Sequence, residues 1–212
     1  MTTRESILEE ALDLFNSGGY LHVSVRDIAA AVDISPGNLS YHFPKKDDIL
    51  RALLENFSIE STKCYEKYHS EVPILFNVLK LLKNVFHVQY RYRGVYIGNQ
   101  YVQQLLEEDN RFNYEDIVKQ RLGAFSKIFC GLADNRQLIL KKGDLDFLLA
   151  EISLFGRFWI SESLLSDKNR EESNAVNIYV ALFAKLFSLF ATDEGKSSIE
   201  VFRVRYLSDN PY

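Results

Sequence analysis

Two cysteines, Cys64 and Cys130, are all that 212 residues contain, and they stand far apart on helical patterns with no metal-ligand spacing. A disulfide framework is therefore excluded, and reduced thiols are the default. Four prolines and ten glycines are too few for a collagen-like or linker-rich chain. The four histidines, His22, His42, His69 and His87, form no H-x-x-x-H or H-E-x-x-H pair. No G-x-x-x-x-G-K or G-x-G-x-x-G loop occurs either, so no catalytic constellation emerges. The expectation is a protein that is not an enzyme and needs neither metal nor cofactor. Long apolar runs are also missing. The longest, Ile178 to Ala184, is far short of a membrane span. No apolar stretch before a cleavage site follows Met1, so a cytoplasmic protein without a membrane partner is expected.

What is present is ordinary in bulk and uneven in detail. Apolar residues make up 47% and charged residues 25%, which rules out wholesale disorder. Fifteen Phe and twelve Tyr are many, so cores or pockets should be rich in rings. The whole net charge of −4 falls within residues 1–55, and the remainder balances. Bulk charge thus gives a nucleic-acid reading of the first segment no help, and the case has to come from the arrangement of a few residues.

Nearly every stretch reads as helix. Ile7, Leu8, Ala11, Leu12 and Phe15 repeat with the spacing of one buried helical face, and Gly18-Gly19 stops that helix. Ser24 with Asp27 three residues on makes a capping pair for a short second helix, Val25 to about Ala31. Ser35-Pro36 opens a third, a serine cap followed by proline where its missing N–H costs nothing. Leu39 and Phe43 give it an apolar anchor, and Pro44 ends it. Longer helices are then predicted at 46–70, 73–90, 94–108, 111–132, 144–165, 171–191 and 194–206. No segment alternates with period two, so the fold class is all-α.

Three helices with a tight turn between the short second and third are a helix-turn-helix signature. Small Ala29 and Ala30 would let those two cross closely, and Ile34 would plug the turn. The anchors leave Pro36, Gly37, Asn38, Tyr41 and His42 outward, with Ser40 beside them. Hydroxyl, amide, imidazole and phenol groups on one helical face suit base edges and phosphates. Arg26, Lys45 and Lys46 make a local basic rim on an acidic domain.

The run Ile7-Leu8…Ala11…Leu14-Phe15…Gly19-Tyr20…Ser24-Val25-Arg26-Asp27-Ile28-Ala29…Ile34-Ser35-Pro36-Gly37-Asn38-Leu39…Tyr41-His42-Phe43…Lys46-Asp47-Asp48-Ile49-Leu50 resembles the tetracycline-repressor (TetR) family over residues 4–52, about a quarter of the chain. The resemblance implies a homodimeric transcriptional regulator. Residues 1–48 would form the helix-turn-helix DNA-binding domain, helix 46–70 would connect, and residues 49–212 would form a helical ligand-binding and dimerisation domain. By position, Ser24 and Arg26 match residues that touch phosphates. Gly37, Asn38, Tyr41 and His42 match recognition-helix positions, and Lys46 matches the lysine at the start of the next helix that grips the DNA backbone; Ser35, Pro36, Ser40 and Lys45 are further DNA-binding candidates beside them. Three positions depart from the family pattern. Ser40 stands where a tyrosine usually packs on a phosphate, which would weaken that backbone contact or move it to Tyr41. Asp33 replaces the turn glycine and would have to take the left-handed region. Lys45 replaces the better Ser or Asn cap.

The segment Ile178 to Phe190 is apolar almost all round, so a helix there must be covered on every side. One face would meet its own core and another a second copy of the chain across a two-fold axis. The expected dimer residues are Phe155, Ile178, Tyr179, Leu182, Phe183, Leu186, Phe187 and Phe190, with a deeply central helix in a monomer as the other reading. In the resembling family the ligand cavity lies among the middle helices. That places Phe86, His87, Tyr90, Tyr96, Gln100, Tyr101, Phe125, Phe129, Phe155 and Trp159 as candidates for a largely apolar effector. The reading is a repressor that binds a double-stranded operator and is relieved by such a ligand. Two alternatives stay open: a DNA-binding regulator controlled by a partner protein, and a helical small-molecule carrier or enzyme without DNA binding.

Overall fold

The computed structural model describes residues 2–69, 71–96, 114–167 and 171–207. Among these, ten α-helices and one 3-10 turn account for the regular structure, with a single isolated bridge, Leu138 to Ala191. We number the helices α1 (Thr3–Gly18), α2 (Val25–Ala31), α3 (Pro36–His42), α4 (Lys46–His69), α5 (Leu75–Arg91), α6 (Arg93–Tyr96), α7 (Tyr114–Asp134), α8 (Asp144–Ser166), α9 (Glu172–Ser188) and α10 (Asp193–Tyr206).

Local chemistry sets most boundaries. The α1 stripe is buried at each of its five predicted positions, and Gly19 takes φ 79° just past its end. Thr2 and Glu5 form a reciprocal capping box at its start, a pair the sequence reading passed over. The predicted start at 73 moves to Leu75, because Pro73 is followed by an extended Ile74. Of the predicted 94–108 helix, only the single turn of α6 lies within the described residues. Gly143 takes φ 91° before α8, and Arg136 takes φ 54° after α7.

Two apolar cores result. The first joins α1, α2, α3 and the opening turns of α4, and it also takes in Tyr92 and Val95 from the α5–α6 corner. The N-terminal core therefore continues past residue 48 into α4. The second core centres on α5, which packs against α4, α9 and α10, while α7 packs on α8. Rings dominate it as the composition foretold: Phe86 stacks on Trp159 at 4.8 Å, and Phe183 meets Phe155 at 4.9 Å.

The two cores are joined at one corner. The side chain of Asn16 on α1 accepts from the Gly94 N–H at 2.7 Å and donates to the Arg91 carbonyl at 2.8 Å. On α4, Glu60 accepts from the Tyr92 hydroxyl at 2.7 Å and from Arg91 at 3.3 Å. Burial, reinforced by Glu60, pushes the Tyr92 phenol well above its ordinary pKa.

Candidate functional site

The short pair α2 and α3 is held by caps and anchors of the predicted kinds. The Asp27 N–H donates to the Ser24 hydroxyl at 3.2 Å, and Asp27 in turn accepts from the Ser24 hydroxyl at 2.7 Å and the Ser24 N–H at 2.8 Å. These bonds hold the Asp27 carboxyl below the usual carboxylate range. Asp33 takes φ 57° in the turn, so aspartate does here what glycine would do more easily. Ile34 follows, half-buried, with its N–H on the Ala29 carbonyl at 2.9 Å. Ser35 caps α3 by accepting from Asn38 at 3.1 Å.

Leu39 is fully buried and Phe43 nearly so, which locks the rotation of α3 about its axis. Pro36, Gly37, Asn38, Ser40 and Tyr41 are exposed as a result, Tyr41 to 84%. A tyrosine so open on a two-turn helix buries little of itself in its own chain. His42 is half-buried, with its ring 5.3 Å from that of Tyr41. Of the two small residues assigned to the helix crossing, only Ala29 is buried. Ala30 faces solvent, so one small residue suffices.

Ser24, Arg26 and Lys45 are exposed around this face. The sequence reading missed Arg4, whose guanidinium lies 4.9 Å over the Phe43 ring beside the end of α3. Lys46 is placed differently from its neighbour. Its ammonium donates to the Tyr20 and Val23 carbonyls, both at 2.9 Å, and sits 4.2 Å over the Tyr20 ring. Desolvation lowers its pKa, with Asp47 opposing. Asp47 itself accepts a short hydrogen bond from the Tyr20 hydroxyl. Lys46 thus braces the segment that leads into α2.

A cleft of about 70 Å³ lies among α4, α5, α7 and α8. Phe86 and Phe125 line it; His87, Tyr90, Phe129, Phe155 and Trp159 do not. Phe129 is fully buried against Phe187, Phe155 packs on Phe183, and Tyr90 lies 6.2 Å from Trp159. His87 turns to Glu172 at 2.8 Å. The side chain of Tyr96, and Gln100 and Tyr101 altogether, fall outside the described residues. The reading missed Phe57, Ser61 and Tyr65 on α4 and Gln89 on α5. Their signal was there: Phe57, Ser61 and Tyr65 follow at one-turn spacing, and Gln89 interrupts an otherwise apolar stripe.

Tyr179, Phe183 and Phe187, assigned to a dimer interface, lie inside the chain's own second core, each under 5% exposed. The correction has a simple cause: α5 and α8 cover that side of α9. Among the apolar residues left open are Phe147, Leu154, Phe158, Leu164 and Leu165 on α8 and Leu189 after α9. Ile178, Leu182, Leu186 and Phe190 are half-buried beside them.

An exposed polar recognition helix on a three-helix unit, joined to a larger helical body, defines a helix-turn-helix transcriptional regulator. Residues 7–53 match the family described as bacterial regulatory proteins, tetR family, and residues 56–199 match the description bacterial transcriptional repressor. The chain belongs to the TetR family of transcriptional regulators. It is similar to the probable HTH-type transcriptional regulator YttP of Bacillus subtilis, 31% identical over 88 residues, which are 42% of each protein. The chain thus spans under half of that relative's length. It is also similar to IcaR of Staphylococcus aureus, the negative transcriptional regulator of the biofilm operon icaADBC, at 25% identity over 78% of this chain and 86% of that one. A TetR-family regulator from Marinobacter aquaeolei has the same fold, with TM-score 0.81, 24% identity, and coverage of 97% of this chain and 99% of that one. Among the described residues, no helix is long and apolar enough to cross a membrane.

Proposed function

We propose that the chain is a homodimeric cytoplasmic repressor that holds a double-stranded operator through α3 and releases it when a small, largely apolar ligand enters the cleft. The outer face of α3 carries this reading: fixed from behind by Leu39, it offers Asn38, Ser40 and Tyr41 to whatever lies outside. Gly37, Asn38, Tyr41 and His42 meet base edges, with Ser35, Pro36 and Ser40 at the groove wall. Ser24, Arg26, Lys45 and Arg4 hold phosphates, and Lys46 acts from behind as a positioning residue. We draw the DNA-binding domain as residues 1–48 with the first turns of α4, and the ligand and dimer domain as the rest.

Release follows if the ligand favours a packing in which two recognition helices no longer match successive major grooves, about 34 Å apart. α4 is the lever, since it starts beside α3 and passes the cleft at Phe57 and Ser61. The Asn16–Gly94 corner links α1 to α6, and Glu60 of α4 holds the same corner through Tyr92.

The two lysines separate the roles. Lys45→Ala should weaken binding to every duplex alike and lower the slope of log affinity against log salt by about one. Lys46→Ala should instead cost about 1–2 kcal/mol of folding stability, because two carbonyls lose a charged donor. Anisotropy titrations across a salt series, beside thermal melts, read both. Asn38→Ala should redistribute sequence preference in a selection from random duplexes, with a change of about 1–3 kcal/mol at one base pair. Absence of any duplex affinity at low salt would remove this reading.

A further inference from the structure

Ser61 differs from the polar residues beside it on α4. Thr62 and Cys64 each turn back onto their own helix, donating to the carbonyls of Ser58 at 2.8 Å and Glu60 at 3.4 Å. Ser61 makes no such bond. It is 5% exposed, it lines the cleft, and its Oγ has no hydrogen-bond partner among the described residues. A buried hydroxyl left without a partner is destabilising unless a bound group satisfies it.

An independent sign comes from α8. Gly156 also lines the cleft, one turn after Ile152 and one before Trp159. Both of those are buried, so Gly156 is on the inward face of its helix. A Cβ there would nevertheless meet no atom within 4 Å. Glycine inside a helix is destabilising relative to alanine, and here no crowding neighbour requires it. Space is kept beside it.

The walls say what would fill that space. Phe57, Phe86 and Phe125 offer rings, and Leu82 and Ile152 offer aliphatic surface. Among the described residues no carboxylate lines the cleft, so a cation would meet no counter-charge. Arg121 and Arg157 line it, but each already has partners, so an anion would have to break existing contacts. An uncharged guest avoids both costs. At about 70 Å³ the cleft is smaller than the roughly 150 Å³ apolar cavity that takes benzene, so even one ring must spread its walls.

We propose that the effector is an uncharged aromatic molecule of about one ring that carries a hydroxyl or carbonyl oxygen. The ring lies against Phe86 and Phe125 in the space beside Gly156, and the oxygen bonds to Ser61. This rests on the reading that the cleft is the effector site. Phe57 and Ser61 belong to α4, so spreading the walls acts on the helix that starts beside α3.

The test uses the full-length protein and probes of similar shape: 4-ethylphenol, benzyl alcohol and acetophenone beside ethylbenzene, with benzoate and benzylamine as the charged pair. Calorimetric titration should find at least one oxygen-bearing neutral probe bound roughly three- to tenfold tighter than ethylbenzene, the gain of one hydrogen bond, with both ions weakest. Ser61→Ala should erase that gain, leave ethylbenzene binding nearly unchanged and raise the melting temperature of the unliganded protein. A merely structural serine would not move the ratio. Gly156→Ala should weaken all the neutral probes together, because its methyl takes their space. Gly123→Ala, at an exposed glycine of α7 that is equally uncrowded, should leave them unchanged. Benzoate or benzylamine bound as tightly as the neutral probes overturns the proposal. So does a Ser61→Ala protein that keeps the full gain, or a fully DNA-competent protein that binds no member of the series. A probe that binds but leaves operator affinity unchanged supports this site while removing ligand-driven release, so the two readings fail separately.

Discussion

Phe158→Glu combined with Leu165→Glu should give a soluble, folded protein that sediments as a single chain and loses operator affinity by about a hundredfold or more. Phe147, Leu154, Phe158 and Leu165 form one stripe on α8, and Phe158 and Leu165 are 58% and 86% exposed. Ring contact between Phe147 and Phe190, at 6.0 Å, ties this stripe to the half-buried residues of α9. An apolar face this open on two adjacent helices fits a second copy across a two-fold axis. Charges there cost the monomer little, since the side chains touch solvent already. The dimer would have to bury four carboxylates near its axis, which it cannot do. With only one recognition helix per particle, the effective-concentration gain from linking two half-sites is lost, and that gain is typically 10²–10⁴.

Phe183→Glu is the control. Phe183 is inside the second core against Phe86, Phe155 and Phe187, so a charge there should unfold the protein rather than split it. Sedimentation velocity and circular dichroism distinguish the two outcomes. A double variant that still sediments at twice the chain mass would rule out this face as the interface.

Gly94→Ala should be among the most damaging single methyls at the described glycines. A Cβ at Gly94 would stand 2.3 Å from the Phe15 carbonyl carbon and oxygen and 2.5 Å from the Asn16 nitrogen. These are backbone atoms of α1, so no rotamer can give way, and α6 would have to lift off α1. That movement also breaks the two hydrogen bonds of Asn16. Overpacking of this kind typically costs 1–3 kcal/mol, and with the lost hydrogen bonds we expect about 3 kcal/mol or more. The melting temperature should fall by several degrees or more. Because the corner joins the two cores, the DNA affinity of whatever folds should respond less to ligand than in the parent. A variant with the parent's stability and the parent's ligand response would show that the corner carries no coupling.

Much of the DNA-facing unit was legible because its determinants are local. A serine cap with Asp27 three residues on, a Ser-Pro start, and an apolar pair one turn apart each fix a backbone feature from within a few residues. Even the departure at Asp33 was readable, since the turn needs a left-handed residue and aspartate accepts one. The setting of Lys46 was not legible for the opposite reason. Its partners, the carbonyls of Tyr20 and Val23, are more than twenty positions away, and nothing in the neighbouring sequence announces that they converge on its ammonium.

The second half divides along the same line. Apolar periodicity gives helices, and a helix apolar all round must be covered all round, so the sequence alone determined that α9 would be enclosed. Which side meets the chain itself and which is left for a partner depends on where α5 and α8 come to rest, and hydrophobicity is nondirectional. Only the tertiary structure turned Phe183 and Phe187 inward and left Phe158 and Leu165 outside. The cleft is a still stronger case: its walls come from four helices, α4, α5, α7 and α8, spread over a hundred residues. Cap and turn chemistry acts between near neighbours and is written in order along the chain. Packing acts between surfaces, and which surfaces meet is decided when the helices do.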